Sequence, residues 1–231
     1  MSKIFLYAAT MALCSAVLSN AANSNVSAAI VSTNIAALRA QAEQGDAKAQ
    51  SILGLCYLYG TRVAEEKAEA ARWFHKAAEQ GFPAAQFYLG KCYYTGDGVV
   101  KDRKESAVWF RKAAEQGFFA AQYNLALCYA QGEGLSADQA EAAKWFRKAA
   151  EQGYPAAQYN LGVFYYNGDG VNRDFMEAYK WLFLARAAGV AEAEALCKIV
   201  TSKVTTTQVA AAEAMVNKWQ QQHAASRPAT K

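Results

Sequence analysis

Apolar residues recur at helical spacing in two consecutive stretches near the middle of the chain. In PAAQFYLGKCYYTG, residues 83–96, they follow one another at steps of four and three, which places them on one face of a helix. In DRKESAVWFRKAAEQG, residues 102–117, Trp109 and Ala113 lie four positions apart and share a face in the same way. The spacing predicts two helices, which we name A and B, joined by the turn GDGVV.

The residues that end these helices are also present. Gly96 closes the A helix, since glycine tolerates the left-handed conformation found at helix C-termini. Asp102 is predicted to cap the start of the B helix, and Glu105, three residues later, is placed to complete a capping box. Gly117 is predicted to stop the B helix.

The same pair of helices is repeated every 36 residues. The sequence WFRKAAEQG occurs at 109–117 and 145–153, and its near-copy WFHKAAEQG at 73–81. The same step separates Trp73, Trp109, Trp145 and Trp181, and also Gly45, Gly81, Gly117, Gly153 and Gly189. Repeats of this length form stacked arrays, in which each helix pair buries its apolar face against the next. We therefore expect the tryptophan column to be part of the core.

The segments ALRAQAEQGDAKAQSILGLCYLYG and AEAARWFHKAAEQG resemble the Sel-one-like repeat (SLR) family, a relative of the tetratricopeptide repeats. The shared pattern, A-x-x-x-L-G-x-x-Y-x-x-G and then E-A-x-x-W-F-x-K-A-A-E-x-G, covers about residues 35–189. Its first half is carried by Ala85, Leu89, Gly90, Tyr93 and Gly96, and again by Ala157, Leu161, Gly162, Tyr165 and Gly168. The resemblance implies an all-α fold, a right-handed α/α superhelical solenoid of four 36-residue helix-turn-helix repeats with atypical terminal capping helices. It also implies a concave groove lined by A helices, and a role in scaffolding and protein contact.

Two residues depart from the pattern inside the repeats. Arg62 stands where the other units have Gly98, Gly134 and Gly170, so we expect the first turn to be built differently. Leu182 replaces the phenylalanine that follows tryptophan in the other units.

The ends of the array are irregular, as expected of capping elements. Residues 33–44 predict a lone B-like helix, AEAEALCKIVTSK aligns loosely with an A helix, and TTTQVAAAEAMVNKWQQQ predicts a final helix. We assign the solenoid to residues 32–222, with flexible segments at 22–31 and 223–231.

Residues 1–21 predict a secretory signal peptide. Lys3 precedes an apolar segment at 4–18, and Ser19 and Ala21 are small residues placed for cleavage after Ala21. The apolar segment has 15 residues, fewer than the roughly 20 that a membrane-spanning helix needs. We expect a secreted or periplasmic protein with no stable membrane insertion.

Composition and charge argue against nucleic acid as a partner. The chain has 231 residues, of which 53% are apolar, and a net charge of +4. Its basic residues alternate with acidic ones and form no concentrated stripe, whereas a nucleic-acid footprint usually needs one. We therefore expect no nucleic-acid partner.

The cysteines form a column rather than pairs. Cys56, Cys92 and Cys128 occupy equivalent positions, Phe164 takes the fourth, and Cys197 falls on a core position. Export favours disulfides. However, equivalent points on stacked helices lie about 8–10 Å apart, beyond the Cα separation of about 7 Å that a disulfide tolerates. The column predicts buried free thiols.

No motif points to catalysis, a metal or a cofactor. GDGV lacks the further oxygen ligands of a calcium loop and the preceding strand of a phosphate loop. The two histidines, His75 at a polar, solvent-facing position and His223 in the tail, are not spaced for a metal. No serine has a lysine three residues later, as the S-x-x-K motif of serine β-lactamases requires.

A second stripe on the A helices, beside the core face, carries the candidate partner-binding residues. They are Phe87, Lys91, Tyr94, Tyr123, Leu127, Tyr159, Val163 and Tyr166. In the related tetratricopeptide groove these columns face the ligand, and tyrosine is enriched in binding hot spots. The alternative is that the aromatic rings pack between neighbouring A helices. Both interpretations, partner binding and packing, hold if a ring is packed and its hydroxyl faces the groove.

These features predict a non-catalytic scaffold or adaptor in the bacterial envelope or secreted, which binds a protein or peptide in the groove and needs no cofactor. The alternative function is an envelope enzyme or accessory factor that acts on cell-wall material, since some members of the resembling family have been labelled β-lactamases. A third is a purely structural spacer.

Overall fold

The computed structural model describes residues 34–224, and all eleven regular elements in that range are α-helices. This confirms the predicted all-α fold of repeated helix pairs. The predicted signal peptide and the segment that follows it lie outside the described residues, as does the end of the chain from residue 225. The chain divides into two compact units, one ending at Ala137 and the other beginning at Asp138.

The first unit contains six helices. They are α1 (Ile35–Glu43), α2 (Ala47–Tyr59), α3 (Lys67–Glu79), α4 (Pro83–Thr95), α5 (Arg103–Glu115) and α6 (Phe119–Gln131). Helix α1 is the predicted lone B-like helix, and Asn34 caps it by accepting from the Ala36 N–H at 3.0 Å. Helices α2, α4 and α6 are A helices, and α3 and α5 are B helices.

The second unit contains five helices. They are α7 (Gln139–Glu151), α8 (Pro155–Asn167), α9 (Phe175–Ala187), α10 (Ala191–Thr201) and α11 (Thr206–Ala224). Helices α7 and α9 are B helices, and α8 is an A helix. The predicted final helix is α11, which packs on α9: Trp219 meets Trp181 edge to face, with ring centroids 6.4 Å apart.

The predicted glycine ends and the Asp102 cap are confirmed, but the predicted capping box is not: the Asp102 N–H donates to the Tyr93 carbonyl at 2.9 Å instead of to Glu105. Each complete A helix ends at a glycine with left-handed backbone, as at Gly96, whose N–H donates to the Cys92 carbonyl at 2.8 Å. Asp102 caps α5, where its Oδ1 accepts from the N–H groups of Lys104 and Glu105 at 2.8 and 3.1 Å. Asp138 and Asp174 cap α7 and α9 in the same way.

In two of the repeats, the phenylalanine after the tryptophan packs on a glycine of the paired A helix: Phe74 on Gly54 and Phe110 on Gly90. A Cβ added at Gly90 would lie 2.7 Å from the Phe110 ring, so a side chain there would require the ring to shift. In the last pair, Leu182 fills the same place, 2.6 Å from a Cβ added at Gly162, and it is fully buried. The departure at Leu182 therefore keeps the packing and changes only the side chain that provides it.

A buried glutamine in each complete A helix ties it to the helix before it. Gln86 Nε2 donates to the Ala78 carbonyl at 3.2 Å, and the other units repeat this bond over the same eight-residue separation. Gln116 Nε2 in turn donates to Gln86 Oε1 at 2.8 Å. A buried amide stays stable only when its polar atoms are paired, which explains the glutamine column.

The expectation that the first turn is built differently is wrong in one respect. Arg62 has φ +64°, in the same left-handed region as Gly98, Gly134 and Gly170. At Gly98 a Cβ would lie 2.0 Å from the Lys67 carbonyl oxygen, so a side chain is excluded there. Arg62 lies one repeat before Gly98, and the residue one repeat before Lys67 is residue 31, which lies outside the described range. Arg62 therefore adopts the same backbone conformation as the equivalent glycines, and this destabilises the fold by about 1–2 kcal/mol.

Arginine–tyrosine hydrogen bonds join B helices to the A helices that follow them. Arg39 donates to the Tyr57 hydroxyl at 2.7 Å and Arg111 to the Tyr129 hydroxyl at 2.9 Å, and Arg147 and Tyr165 make the same bond. His75 takes the arginine position in the remaining pair. Its side chain is partly exposed, as predicted, and its Nδ1 lies 3.4 Å from Glu79 Oε2.

We expect His75→Arg to stabilise the protein by about 0.5–1 kcal/mol, because it offers Tyr93 the donor that the equivalent tyrosines have. The reverse change, Arg111→His, should destabilise by a similar amount. Urea unfolding followed by far-UV circular dichroism measures both. A stability change of the same sign in the two variants would contradict the role given to this bond.

The four cysteines of the described residues are buried and unpaired, in agreement with the predicted free thiols. Burial raises the pKa of Cys92 and of Cys128 to about 12 and that of Cys197 to about 11, and it also raises the pKa of Cys56. Since the thiolate is the reactive form, these thiols are poor nucleophiles in the folded protein.

Alkylation by iodoacetamide at pH 8 should therefore be slow at all four cysteines in the native protein and complete in denaturant. Mass-spectrometric mapping of each cysteine-containing peptide measures the reaction site by site. Rapid native labelling of Cys92 or Cys128, or a disulfide that joins any two of Cys56, Cys92 and Cys128, would contradict the packing.

Candidate binding surface

The structure places five of the eight predicted partner-binding residues in the core. They are Phe87, Tyr123, Leu127, Tyr159 and Val163. The Phe87 ring shows why: it meets Tyr88, Phe110 and Phe118 with centroids 5.2, 5.9 and 5.3 Å away. Tyr123 has no exposed area at all, so its hydroxyl does not reach solvent either. The stripe is therefore mainly packing, and Lys91, Tyr94 and Tyr166 are its partly exposed members.

Tyr94 is held in a cluster within the first unit. The Arg103 guanidinium lies over its ring, 3.4 Å from the centroid, and Arg103 Nη1 stands 3.6 Å from Glu133 Oε2. Burial raises the pKa of Tyr94 to about 12, so its hydroxyl stays protonated. In the second unit, Tyr166 packs beside Phe175 at 5.8 Å.

Lys91 borders an open cleft between the C-terminal halves of α2 and α4. We name it the Tyr59 cleft. Its volume is about 350 Å³, and it is lined by Leu58, Tyr59, Glu65, Lys67, Tyr88, Lys91, Cys92 and Asp97. Tyr59 is 49% exposed, which is unusual for a large apolar side chain here. The cleft thus combines two tyrosines with two lysines and two carboxylates.

The polar side of the Tyr59 cleft is held in place by an ion pair. Lys67 Nζ lies 2.8 Å from Asp97 Oδ1, and Thr95 Oγ1 donates to Asp97 Oδ2 at 2.7 Å. The hydrogen bond from Lys67 lowers the pKa of Asp97. A carboxyl group with a lowered pKa stabilises the fold above its usual pKa, and this contribution is lost as the pH falls through the folded value. At neutral pH the pair is intact.

The apolar side of the Tyr59 cleft is aromatic. Lys91 Nζ stands over the rings of Phe87 and Tyr88, 5.9 and 5.7 Å from their centroids, within the range of a cation–π contact. Burial raises the pKa of Tyr88 to about 12 and also raises that of Tyr59. Both hydroxyls are therefore protonated donors at neutral pH.

The first unit also has a larger cleft of about 650 Å³ between α1 and α2. Its lining is Leu38, Gln41, Gln44, Gly45, Asp46, Lys48, Ala49 and Ile52. None of these side chains is aromatic, and aromatic side chains are the residues most enriched at the centres of protein interfaces. The Tyr59 cleft is therefore the better candidate for partner contact.

Helical spacing predicts Lys91 as a binding residue but not the aromatic and other charged residues of the Tyr59 cleft. A signal for them was present in the repeat itself. Tyr59 occupies a position that is Thr95, Gln131 or Asn167 in the other units, and Tyr88 one that is Ile52, Asn124 or Asn160. Departure from the equivalent residues, rather than recurrence at helical spacing, marks this surface.

Among residues 34–224, no group of histidine, cysteine, aspartate and glutamate side chains is arranged to hold a metal ion. In the same range, no helix has both the length and the apolar character needed to cross a bilayer.

The A and B helices have constant length, and the same buried glutamine bond recurs in every complete A helix. Arginine–tyrosine bonds join three of the helix pairs. These features define a helix-pair repeat protein. The family model of the Sel1 repeat matches residues 47–82, 83–118, 119–154 and 155–190, more than half of the chain. The chain belongs to the Sel1 repeat family, whose members are generally protein-interaction scaffolds.

Two solved structures are similar over most of the chain. One is a protective antigen present in uropathogenic Escherichia coli strains, with an SLR fold: 36% identity over 84% of this chain, TM-score 0.73. Another is a Sel1 repeat protein from Oxalobacter formigenes: 36% identity over 67% of this chain, TM-score 0.63. The chain spans only 41% and 63% of the lengths of these two proteins. A comparison with curated proteins gave no match.

Proposed function

We propose that this protein is an exported, non-catalytic scaffold of the bacterial envelope that binds a protein or peptide partner through the Tyr59 cleft. The main supporting observation is the half-exposed Tyr59 ring beside Tyr88 and Lys91. Every other aromatic side chain of the described residues is buried or partly buried. Tyrosine offers a large contact area at a small loss of conformational entropy. The general role of Sel1 repeats in protein interaction supports the same assignment.

The chemistry of the cleft supports binding rather than nucleophilic catalysis. Cys92, its one thiol, is buried, and burial raises its pKa to about 12. The Asp97 carboxylate is engaged by Lys67 and Thr95. What the cleft offers to a partner is the half-exposed Tyr59 ring with its hydroxyl, beside charged groups of both signs.

The test is partner capture by the tagged chain, compared with the double variant Tyr59→Gln/Lys91→Leu. Each change installs the residue that another repeat has at that position, so the fold should be retained. A partner recovered with the wild type and with the surface variant Val108→Ala, but lost with the double variant, supports the proposal. Equal recovery with all three proteins would place the contact elsewhere.

Export is proposed from the signal sequence, and it is tested separately. In a bacterial host, the mature protein should begin at Ala22, as read by mass spectrometry of its N-terminal peptide. A protein recovered from the cytoplasm with Met1 or Ser2 at its N-terminus would contradict export without affecting the binding proposal.

A further inference from the structure

The most exposed aromatic ring of residues 34–224 borders the Tyr59 cleft. The equivalents of Tyr59 in the other repeats are polar, as described above, although each repeat packs in the same way. The fold therefore does not require an aromatic ring at this position. Contact with a partner would remove the ring from water, and the burial of apolar surface is the main favourable term in most protein association. Tyr59 thus marks a surface suited to apolar contact.

A second exposed apolar side chain belongs to the turn that borders this cleft. Val100 is 88% exposed and follows Asp97, a lining residue of the cleft, by three positions. Since consecutive Cα atoms are about 3.8 Å apart, the Cα of Val100 lies within about 11 Å of that of Asp97. The equivalent residues in the other repeats are smaller or polar: Ala64, Ser136 and Asn172. An extended segment of four residues, about 13 Å long, is enough to follow this turn from the cleft to Val100.

The charged groups that line the cleft balance one another. Two are lysines, Lys67 and Lys91, and two are carboxylates, Glu65 and Asp97. Lys67 forms the ion pair with Asp97 described above, and Lys91 Nζ stands over two aromatic rings. Lys91 also acts electrostatically on Asp97, and Glu65 acts on Lys67. The lysines and carboxylates are therefore engaged with other groups of the protein.

This balance decides which partner the cleft favours. A charged side chain that enters loses part of its hydration, and this loss costs free energy unless an opposite charge compensates for it. The cleft provides no excess charge of either sign, so it gives a charged segment little compensation. Burial raises the pKa of Tyr59, so its hydroxyl remains a donor at neutral pH. Every peptide segment carries backbone carbonyl groups that can accept from this hydroxyl.

We infer that the Tyr59 cleft takes an uncharged apolar segment of a protein partner, with its side chains on Tyr59 and Val100 and a backbone carbonyl at the Tyr59 hydroxyl. This rests on the proposed protein-binding function and names the chemistry of the partner. The cleft volume of about 350 Å³ lies at the lower end of the range for ligand pockets, roughly 300–1,000 Å³. It suits a few adjacent side chains rather than a whole domain.

The test is fluorescence anisotropy with three labelled peptides that share Gly-Ser flanks. Their central residues are Phe-Leu-Leu-Phe, Phe-Asp-Asp-Phe and Phe-Lys-Lys-Phe. We expect the apolar peptide to bind at least about tenfold more tightly than the acidic and the basic peptide, because only the charged ones lose hydration without compensation. Raising the NaCl concentration from about 50 to about 500 mM should change its Kd by less than about twofold, since salt screens charge contacts but not apolar ones.

Substitutions place the apolar peptide on the cleft. Tyr59→Gln should weaken its binding by about tenfold or more, and Tyr59→Phe, which keeps the ring and loses the donor, by about threefold to fivefold. Val100→Ser, which installs the residue of the next repeat, should weaken it by about threefold. Val108→Ser is the matched control, the same change at an exposed valine outside the cleft, and should leave Kd unchanged. Unchanged urea midpoints in all four variants show that the fold is retained.

The other outcomes overturn the inference in distinguishable ways. Equal or tighter binding of a charged peptide would contradict the uncharged segment and leave the scaffold role standing. Equal Kd values for Val100→Ser and Val108→Ser would contradict the path of the segment along the turn. Absence of binding by all three peptides, together with partner capture that Tyr59→Gln/Lys91→Leu abolishes, would overturn the apolar segment alone. Absence of both would overturn the proposed function as well.

Discussion

Trp109→Ala should destabilise the first unit by about 3–5 kcal/mol, the usual cost of removing a large buried aromatic side chain. Trp109 is only 6% exposed. Lys112 Nζ covers its ring at 3.8 Å from the centroid, and the edge contact with His75 has a centroid separation of 6.1 Å. Truncation therefore loses apolar burial, a cation–π contact and the packing between two B helices.

The control is Val108→Ala, one residue earlier on the same helix. Val108 is 42% exposed, so its truncation should change the free energy of unfolding by no more than about 0.5 kcal/mol. Urea unfolding of the two variants, followed by far-UV circular dichroism, gives both values. A loss below about 1 kcal/mol for Trp109→Ala would show that the tryptophan column is not part of the core.

Gly98→Ala should cost roughly 3 kcal/mol, from two sources. The left-handed conformation at φ +75° disfavours any residue with a Cβ by about 1–2 kcal/mol. The added Cβ would also lie 2.0 Å from the Lys67 carbonyl oxygen, and relieving such an overlap typically costs about 1–3 kcal/mol. Because the neighbouring atom belongs to the backbone, no side-chain rotation removes the clash.

Gly117→Ala separates the cost of the left-handed conformation from the cost of the clash. Gly117 has φ +88°, but a Cβ there would have no atom within 4 Å, so only the conformational cost applies. We expect Gly117→Ala to lower the free energy of unfolding by about 1–2 kcal/mol, and Arg62→Gly to raise it by about 1 kcal/mol. Equal losses for Gly98→Ala and Gly117→Ala would contradict the close approach of the turn to α3.

The fold could be predicted because the same packing and capping residues recur in every repeat. One helical pattern is ambiguous, but the unbroken spacing of Trp109 and its equivalents requires each unit to pack like its neighbour. The capping role of Asp102 and the glycine ends of the A helices also follow from local chemistry, which the sequence alone contains.

The candidate site could be predicted only in part. Lys91 was selected, but helical spacing does not give the tilt of neighbouring helices, which decides that Phe87 and Tyr123 face the core. The prediction that the turn at Arg62 is built differently failed for a related reason. The clash that demands glycine at Gly98 comes from Lys67, 31 residues earlier, and long-range contacts of this kind are not visible in a local turn motif.

Photo-cross-linking tests the central claim most directly. Benzoylphenylalanine is placed at Tyr59 in one protein and at Val108 in another, two positions of similar exposure on an A helix and a B helix. Irradiation in cells of the native host should give a discrete partner adduct from position 59 and none from position 108. An adduct from position 108 alone, with none from position 59, would contradict the assignment of partner contact to the Tyr59 cleft.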